Sequence, residues 1–368
     1  MLNIIFFIFV GVTVLLLIYC LGIFAKFAFA KPKAVNPKKI PVSVIVCAKN
    51  KAEKVKQYIP LLAAQDYPDY EIILIDDSSS DDTLDIFEEF EKQYSNIKLV
   101  KVANNEAFWA NKKYALTLGI KAATKEYLLF TDADCYPASD TWITQMTAHF
   151  TLKKTIVLGY SSYEKVKNSL FNKLIRFDAM FTATQYFAWA KSGRPYTGEG
   201  QNLAYKREEF FKVNGFINHI NIRTGEDALF INEAASKKNT TTCFTPESFT
   251  YCEAKKTFSE WFAQKRRQEF TTGFFRAFDK FQLRFYNFCL ILFYLLAVVL
   301  LAFSFNWMLV VPVIGVRYLF TWVTLGYSAA KLNEKDVMYL YPFLEIMLTF
   351  TKTTAFFSNM FSKPVHWK

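Results

Sequence analysis

Two long stretches of this chain carry no charged residue: residues 1–25 and residues 285–316. A helix of roughly 20 apolar residues crosses the hydrocarbon of a bilayer, so each stretch is long enough to do so. That restricts the fold more than any motif does, because whatever lies between must work at a membrane surface. Roughly 250 residues of mixed composition separate the two, enough for one or two domains. At 368 residues, 52% hydrophobic and 21% charged, the chain can fill a core, which excludes disorder.

Residues 1–25 read as a retained N-terminal anchor and 26–40 as a basic linker. Ala28-Phe-Ala30 resembles a signal cleavage site. However, no positive charge precedes the apolar run, the run is too long, and Lys26, Lys31, Lys33, Lys38 and Lys39 follow it. The positive-inside rule then puts the N-terminus outside and the next domain in the cytoplasm of a multi-pass cell-membrane protein. Spans are expected at 285–305 and 307–330, with a weaker segment at 337–360 that either crosses or lies in the interface. Arg317 falls inside the second span and needs a polar partner. Glu345 and Lys352, two helical turns apart, share a face. Glu345 either pairs with Arg317 inside a bundle or stays wet on an interfacial helix. Residues 259–284 place Phe270, Phe274, Phe278 and Phe281 at helical spacing among Lys265, Arg266, Arg267, Arg276, Lys280 and Arg284. That reads as a basic amphipathic helix lying in the membrane interface. Residues 168–190, rich in aromatics, read as a second such element or as an acceptor wall.

The net charge of +11 gathers where apolar segments end, which fits anionic lipid and not nucleic acid. Six cysteines include no CxxC, and Cys20 and Cys289 lie in apolar runs, so a disulfide framework is not expected and a reducing compartment is. Three histidines form no zinc pattern.

Between the apolar ends the pattern alternates. β-Branched and apolar runs at 41–47, 71–76, 97–102 and 126–131 read as strands. Segments 51–64, 83–94 and 109–123 read as helices. Nearly continuous apolar strands alternating with helices predict an α/β fold, a mostly parallel sheet with helices on both faces. Ligands bind beyond the carboxyl ends of such strands. Asp76, Asp77, Asp132 and Asp134 all lie there. Carboxylates at i and i+2 on an extended segment can give oxygens to Mg²⁺ or Mn²⁺, with phosphates and water completing an octahedron. Helix capping is the alternative reading of these acids. Neither GxGxxG nor GxxxxGK[ST] follows the first strand, so a diphosphate would need a metal and basic side chains; Lys112 and Lys113 are candidates. Gln201 and Asn202 end a Gly-rich loop at 197–202 and could meet sugar hydroxyls.

In order along the chain, Val42-Ser-Val-Ile-Val-Cys-Ala-Lys-Asn50, Ile75-Asp-Asp-Ser-Ser-Ser-Asp81, Thr131-Asp-Ala-Asp134, Gly225-Glu-Asp227 and Gln264-Lys-Arg-Arg267 resemble glycosyltransferase family 2. The resemblance implies a GT-A domain over 41–258 flanked by transmembrane helices. It also implies a nucleotide-diphosphate sugar donor, most simply a UDP-sugar, and a divalent metal, Mg²⁺ or Mn²⁺. On it, Ala48, Asp76 and Asp77 contact the base, Asp132 the ribose or phosphates, and Asp134 the metal. Arg267 serves the diphosphate beside the candidate Lys113, and Asp227 is the general base of an inverting transfer. Glu226 and Gln264 touch sugar or acceptor, where the local reading also puts Gln201 and Asn202, a plain turn being their alternative. Gln268 stands where membrane synthases carry Trp after Gln-x-x-Arg. The expected acceptor is therefore a membrane-held or lipid-linked glycan taking one sugar, with a processive synthase or a non-catalytic nucleotide-binding scaffold as alternatives.

Overall fold

The computed structural model describes residues 1–33, 35–103, 112–362 and 364. It divides into two units, one formed by 1–31, 167–192 and 256–364, the other by 32–166 and 193–255.

The second unit holds a seven-stranded sheet in the order β3-β2-β1-β4-β8-β6-β9. Its strands are β1 (Val42–Ala48), β2 (Tyr70–Asp76), β3 (Ile97–Lys101), β4 (Tyr127–Asp132), β6 (Ile156–Leu158), β8 (Leu203–Lys206) and β9 (Thr240–Thr242). β1 runs parallel to β2 and β4, and β2 parallel to β3, as the alternating pattern predicts. β8 enters antiparallel to both β4 and β6, making the sheet mixed on that side. A three-stranded sheet, β5-β10-β7, is built from β5 (Cys135–Pro137), β7 (Ser161–Tyr163) and β10 (Thr250–Cys252).

The apolar strands are apolar because both faces are covered. Val44, Val46, Ile72 and Leu74 pack with Val55, Ile59 and Phe87 from helices Ala52–Ala63 and Thr83–Gln93. On the other face helix Lys112–Ala122 comes so close that a Cβ on Gly119 would lie 2.1 Å from Ile75. Each fully buried Ile or Val contributes about 1.5–3 kcal/mol. The first three strand–helix pairs match their expected positions to within a residue or two where they are described; residues 109–111 of the expected third helix lie outside the described residues.

Cys135 and Cys252 face each other across the antiparallel β5–β10 pair and form a disulfide. This corrects the expectation drawn from the missing CxxC. The partners are 117 residues apart, and only the small sheet brings them together.

Among the described residues of the first unit, three helices are long and apolar enough to cross a membrane: Leu2–Ala28, Ala277–Ala302 and Trp307–Lys331. The first packs on the second through stacked rings of Phe9 and Phe293, 5.2 Å apart. Helix Phe258–Thr272 stops at Gly273 and the next helix starts at Ala277, so no single interfacial helix covers 259–284. Phe274, Phe278 and Phe281 are exposed, but two of the cations turn inward. Lys265 pairs with Asp178, and Arg266 donates to Asn359 Oδ1 at 3.0 Å. The aromatic segment at 168–190 forms helix Leu170–Lys191, which belongs to this unit and is buried along most of its length, Phe177 to Trp189 included. The weak third segment becomes a short 3-10 stretch, Lys335–Leu340, and helix Tyr341–Phe361. Glu345 takes the buried alternative and pairs with Arg317.

Candidate active site

The strand ends bring the acids to one edge. Asp76 closes β2 and accepts from Ser79 N–H at 3.2 Å; the Asp77 N–H donates to the Ala48 carbonyl at 2.9 Å. This ties the ends of β1 and β2, where Ala48 and Asp76 stand in register. Both acids are buried, and burial, reinforced by Asp76, holds the Asp77 carboxyl above its ordinary range.

β4 ends in Asp132. The ligating atoms of Asp132, Asp134 and Cys135 lie within 4.8 Å of one another. The Cys135 sulfur is already bonded to Cys252, leaving two carboxylates as donors. Lys112 Nζ sits 2.7 Å from Asp132 Oδ1 and 3.0 Å from Glu226 Oε1. Lys51 Nζ sits 2.8 Å from Asp134 Oδ2. Burial opposes ionisation of Asp134 but is outweighed by Lys51 and Lys255, so its carboxyl lies below its ordinary range.

The segment before helix Glu226–Ala234 is turned by Gly225, whose φ of 71° lies in the left-handed region that favours glycine. That turn aims Glu226 and Asp227 back at the strand edge. Gly200 N–H donates to Asp227, and a Cβ on Gly200 would stand 2.0 Å from Asp227 Oδ2, so no larger residue leaves this carboxylate in place. Burial, with Glu226 alongside and Lys112 opposing, pushes Asp227 up to about 8. Glu226 goes the other way, because Lys112 overcomes its burial. One small cleft is lined by Cys47, Lys112, Thr131, Asp132, Gly200 and Asp227.

Two expected residues, Lys113 and Asn202, meet protein partners with their side chains. Lys113 is fully buried and its ammonium donates to the carbonyls of His219 at 2.8 Å and Ile222 at 2.5 Å. It anchors the loop leading to Gly225, and Lys112 is the lysine that faces the acids. Asn202 is buried. Its amide donates to the Tyr160 and Ser248 carbonyls at 2.8 and 2.7 Å and accepts from Trp142 Nε1 at 3.1 Å. These bonds fix the Gly200 turn. Gln201 is half-buried, and its backbone carbonyl accepts from Thr250 Oγ1 at 2.9 Å. Gln264 and Arg267 lie in the other unit, on helix Phe258–Thr272, and burial pulls the Arg267 guanidinium below its usual range. Lys51 and Gly200 carried no expectation. Lys51 follows a strand end, the same signal that marked the acids.

Residues 43–219 match Glycosyl transferase family 2. A 93-residue stretch is 37% identical to the poly-beta-1,6-N-acetyl-D-glucosamine synthase of Staphylococcus epidermidis, covering 25% of this chain and 21% of that one. Another comparison gives 33% identity over 102 residues with the poly(ribitol-phosphate) beta-glucosyltransferase of Bacillus spizizenii, covering 27% and 16%. A third gives 29% over 125 residues with UDP-Glc:alpha-D-GlcNAc-diphosphoundecaprenol beta-1,3-glucosyltransferase WfaP of Escherichia coli, covering 33% and 45%. The chain thus spans less than half the length of each of these relatives. Among solved structures, the mannosyltransferase PcManGT of Pyrobaculum calidifontis, in complex with GDP-Man and Mn²⁺, aligns at TM-score 0.58 and 16% identity. The alignment covers 93% of this chain and 99% of that one, a likeness of fold.

Proposed function

The chain carries a glycosyl transferase family 2 domain of GT-A fold over residues 43–219, and from that premise we propose that it is a membrane-bound, inverting glycosyltransferase. It moves one sugar from a nucleoside-diphosphate sugar to a membrane-held or lipid-linked acceptor. The observation that carries this reading is the convergence of Asp227, Lys112 and Asp132 on one cleft at the strand edge. Ala48, Asp76 and Asp77 hold the base, Asp132 the ribose or phosphates, and Lys112 lends its charge to the diphosphate. Asp227, ionised, takes the proton of the acceptor hydroxyl as that oxygen attacks the anomeric carbon. A UDP-sugar is the expected donor. The full chain in lipid, given UDP- and GDP-sugars with Mn²⁺, should release nucleoside diphosphate; no turnover of any donor, to acceptor or to water, would favour the scaffold reading instead.

Asp132 and Asp134 offer hard oxygen donors of the kind Mg²⁺ and Mn²⁺ take, and they lie close enough to share an ion. A divalent cation held there supplies positive charge against the diphosphate leaving group. Asp134→Ala should weaken Mn²⁺-dependent UDP binding at least about tenfold by calorimetry, since a carboxylate oxygen is lost from a small ligand set. Undiminished affinity would remove Asp134 from the metal site.

The three membrane helices and the lysines after the first favour a cytoplasmic catalytic unit. A cysteine placed at Asn36 should resist a membrane-impermeant maleimide in intact cells and react after lysis. Efficient labelling of intact cells would reverse the orientation.

A further inference from the structure

Each aspartate of the Asp132-x-Asp134 pair already holds a lysine. Lys112 Nζ is 2.7 Å from Asp132 Oδ1, and Lys51 Nζ is 2.8 Å from Asp134 Oδ2. The two lysines come from different elements: Lys112 lies on helix Lys112–Ala122, while Lys51 precedes helix Ala52–Ala63 just beyond β1. They differ in freedom. Lys112 also bonds Glu226 and its side chain is 14% exposed. Lys51, at 27%, is held through its backbone, its N–H donating to Thr83 Oγ1 at 2.8 Å and its carbonyl accepting from the Lys54 and Val55 N–H groups at 2.9 Å, while its ammonium meets Asp134 at the end of a long flexible stem. Its ammonium can therefore swing away from Asp134 without disturbing the core.

Three carboxylates, Asp132, Asp134 and Glu226, and two ammonium groups, Lys51 and Lys112, sum to one negative charge. A divalent cation arriving alone would turn that into a surplus of one positive charge, and Lys255 adds its own field at Asp134. Like charges within a few ångströms and partly shielded from water repel strongly. A nucleoside diphosphate arriving with the ion brings the negative charge that removes the surplus and gives the displaced ammonium a phosphate oxygen to pair with.

We propose that Lys51 is a resident counter-ion that competes with the divalent cation for Asp134 and, once displaced, binds the donor's diphosphate. Metal and nucleotide then bind together, and neither binds well alone. The inference rests on the assignment of the metal to Asp134 made above, and goes beyond it by naming a binding residue and a sign for the coupling.

The test is calorimetric titration of Mn²⁺, without nucleotide, into the full chain and into Lys51→Met, Lys51→Arg and Asp134→Ala. Lys51→Met should bind bare Mn²⁺ about tenfold more tightly than the native protein, a change of about 1.4 kcal/mol. Lys51→Arg, which keeps the charge, should show no such gain. Saturating UDP or GDP should raise Mn²⁺ affinity less in Lys51→Met than in the native chain, and metal-free nucleotide binding should weaken. No gain in bare Mn²⁺ affinity in Lys51→Met, or an equal gain in Lys51→Arg, overturns the proposal. Asp134→Ala separates the two layers: if, with saturating UDP present, it binds Mn²⁺ as tightly as the native protein does, the metal assignment itself fails, whatever Lys51 does.

Discussion

Replacing Asp227 by Asn should leave donor binding nearly intact and lower turnover by about two to four powers of ten, the range of a lost general base. The substitution keeps the size and the hydrogen bond from Gly200 N–H, which an amide oxygen also accepts, so the cleft should not rearrange. What disappears is the proton acceptor. The carboxyl is tuned for that role: burial and Glu226 raise it to about 8, where a base retains affinity for a proton yet ionises near neutral pH. The sign of the pH dependence follows. Below about 8 the carboxyl of the free protein is mostly protonated and cannot act as base; above it, it can. Native kcat/KM should therefore rise with pH through a limb near 8, and Asp227→Asn should lack that limb. A product whose anomeric configuration matches the donor's would contradict single displacement, and near-normal turnover in the Asn variant would remove Asp227 from catalysis.

The acids of this site were legible in the sequence because strand ends are. A continuous apolar run stops where the chain leaves the covered sheet, and a charge in the next one or two positions must lie at the rim; Asp76, Asp77, Asp132 and Asp134 all obey this. Lys112 and Lys113 were not separable in the same way. Neighbours on a helix point about 100° apart, and nothing local says which one faces the rim and which the loop before Gly225. Gln201 and Asn202 pose the same difficulty at a turn. The Asn side chain faces inward because the Tyr160 and Ser248 carbonyls need donors there, a demand set by residues 42 and 46 positions away. The Cys135–Cys252 pair, the burial of helix Leu170–Lys191 and the inward turn of Lys265 likewise depend on partners distant in sequence. Local pattern carries the sheet and its rim; it does not carry which polar group is satisfied by what.

Arg317 makes the same point with the largest stability effect. On sequence alone it is an expensive charge in a span. In the structure it is fully buried, with Nη2 2.6 Å from Glu345 Oε1 and Nη1 bonded to Oε2. Tyr341 and Tyr294 hydroxyls also donate to Glu345, at 2.8 and 2.5 Å. The guanidinium lies over the rings of Phe293 and Tyr318, 5.2 and 4.8 Å from their centroids. Every group that holds helix Tyr341–Phe361 by its charges points inward: Glu345 to Arg317, and Lys352 to Asp178 at 3.6 Å. Desolvating both ions offsets most of their attraction, so the pair as a whole adds little; removing one partner is the costly event. Arg317→Met should destabilise the protein by about 3–5 kcal/mol in denaturant unfolding in detergent, because Glu345 is left buried with only hydroxyl donors. Arg317→Met combined with Glu345→Met should recover most of that loss, since two apolar side chains of similar length replace two desolvated charges. If the double variant is as unstable as the sum of the two single variants, the ion pair is not what couples these helices, and the contact must be ascribed to ring packing around Phe293 and Tyr318 instead.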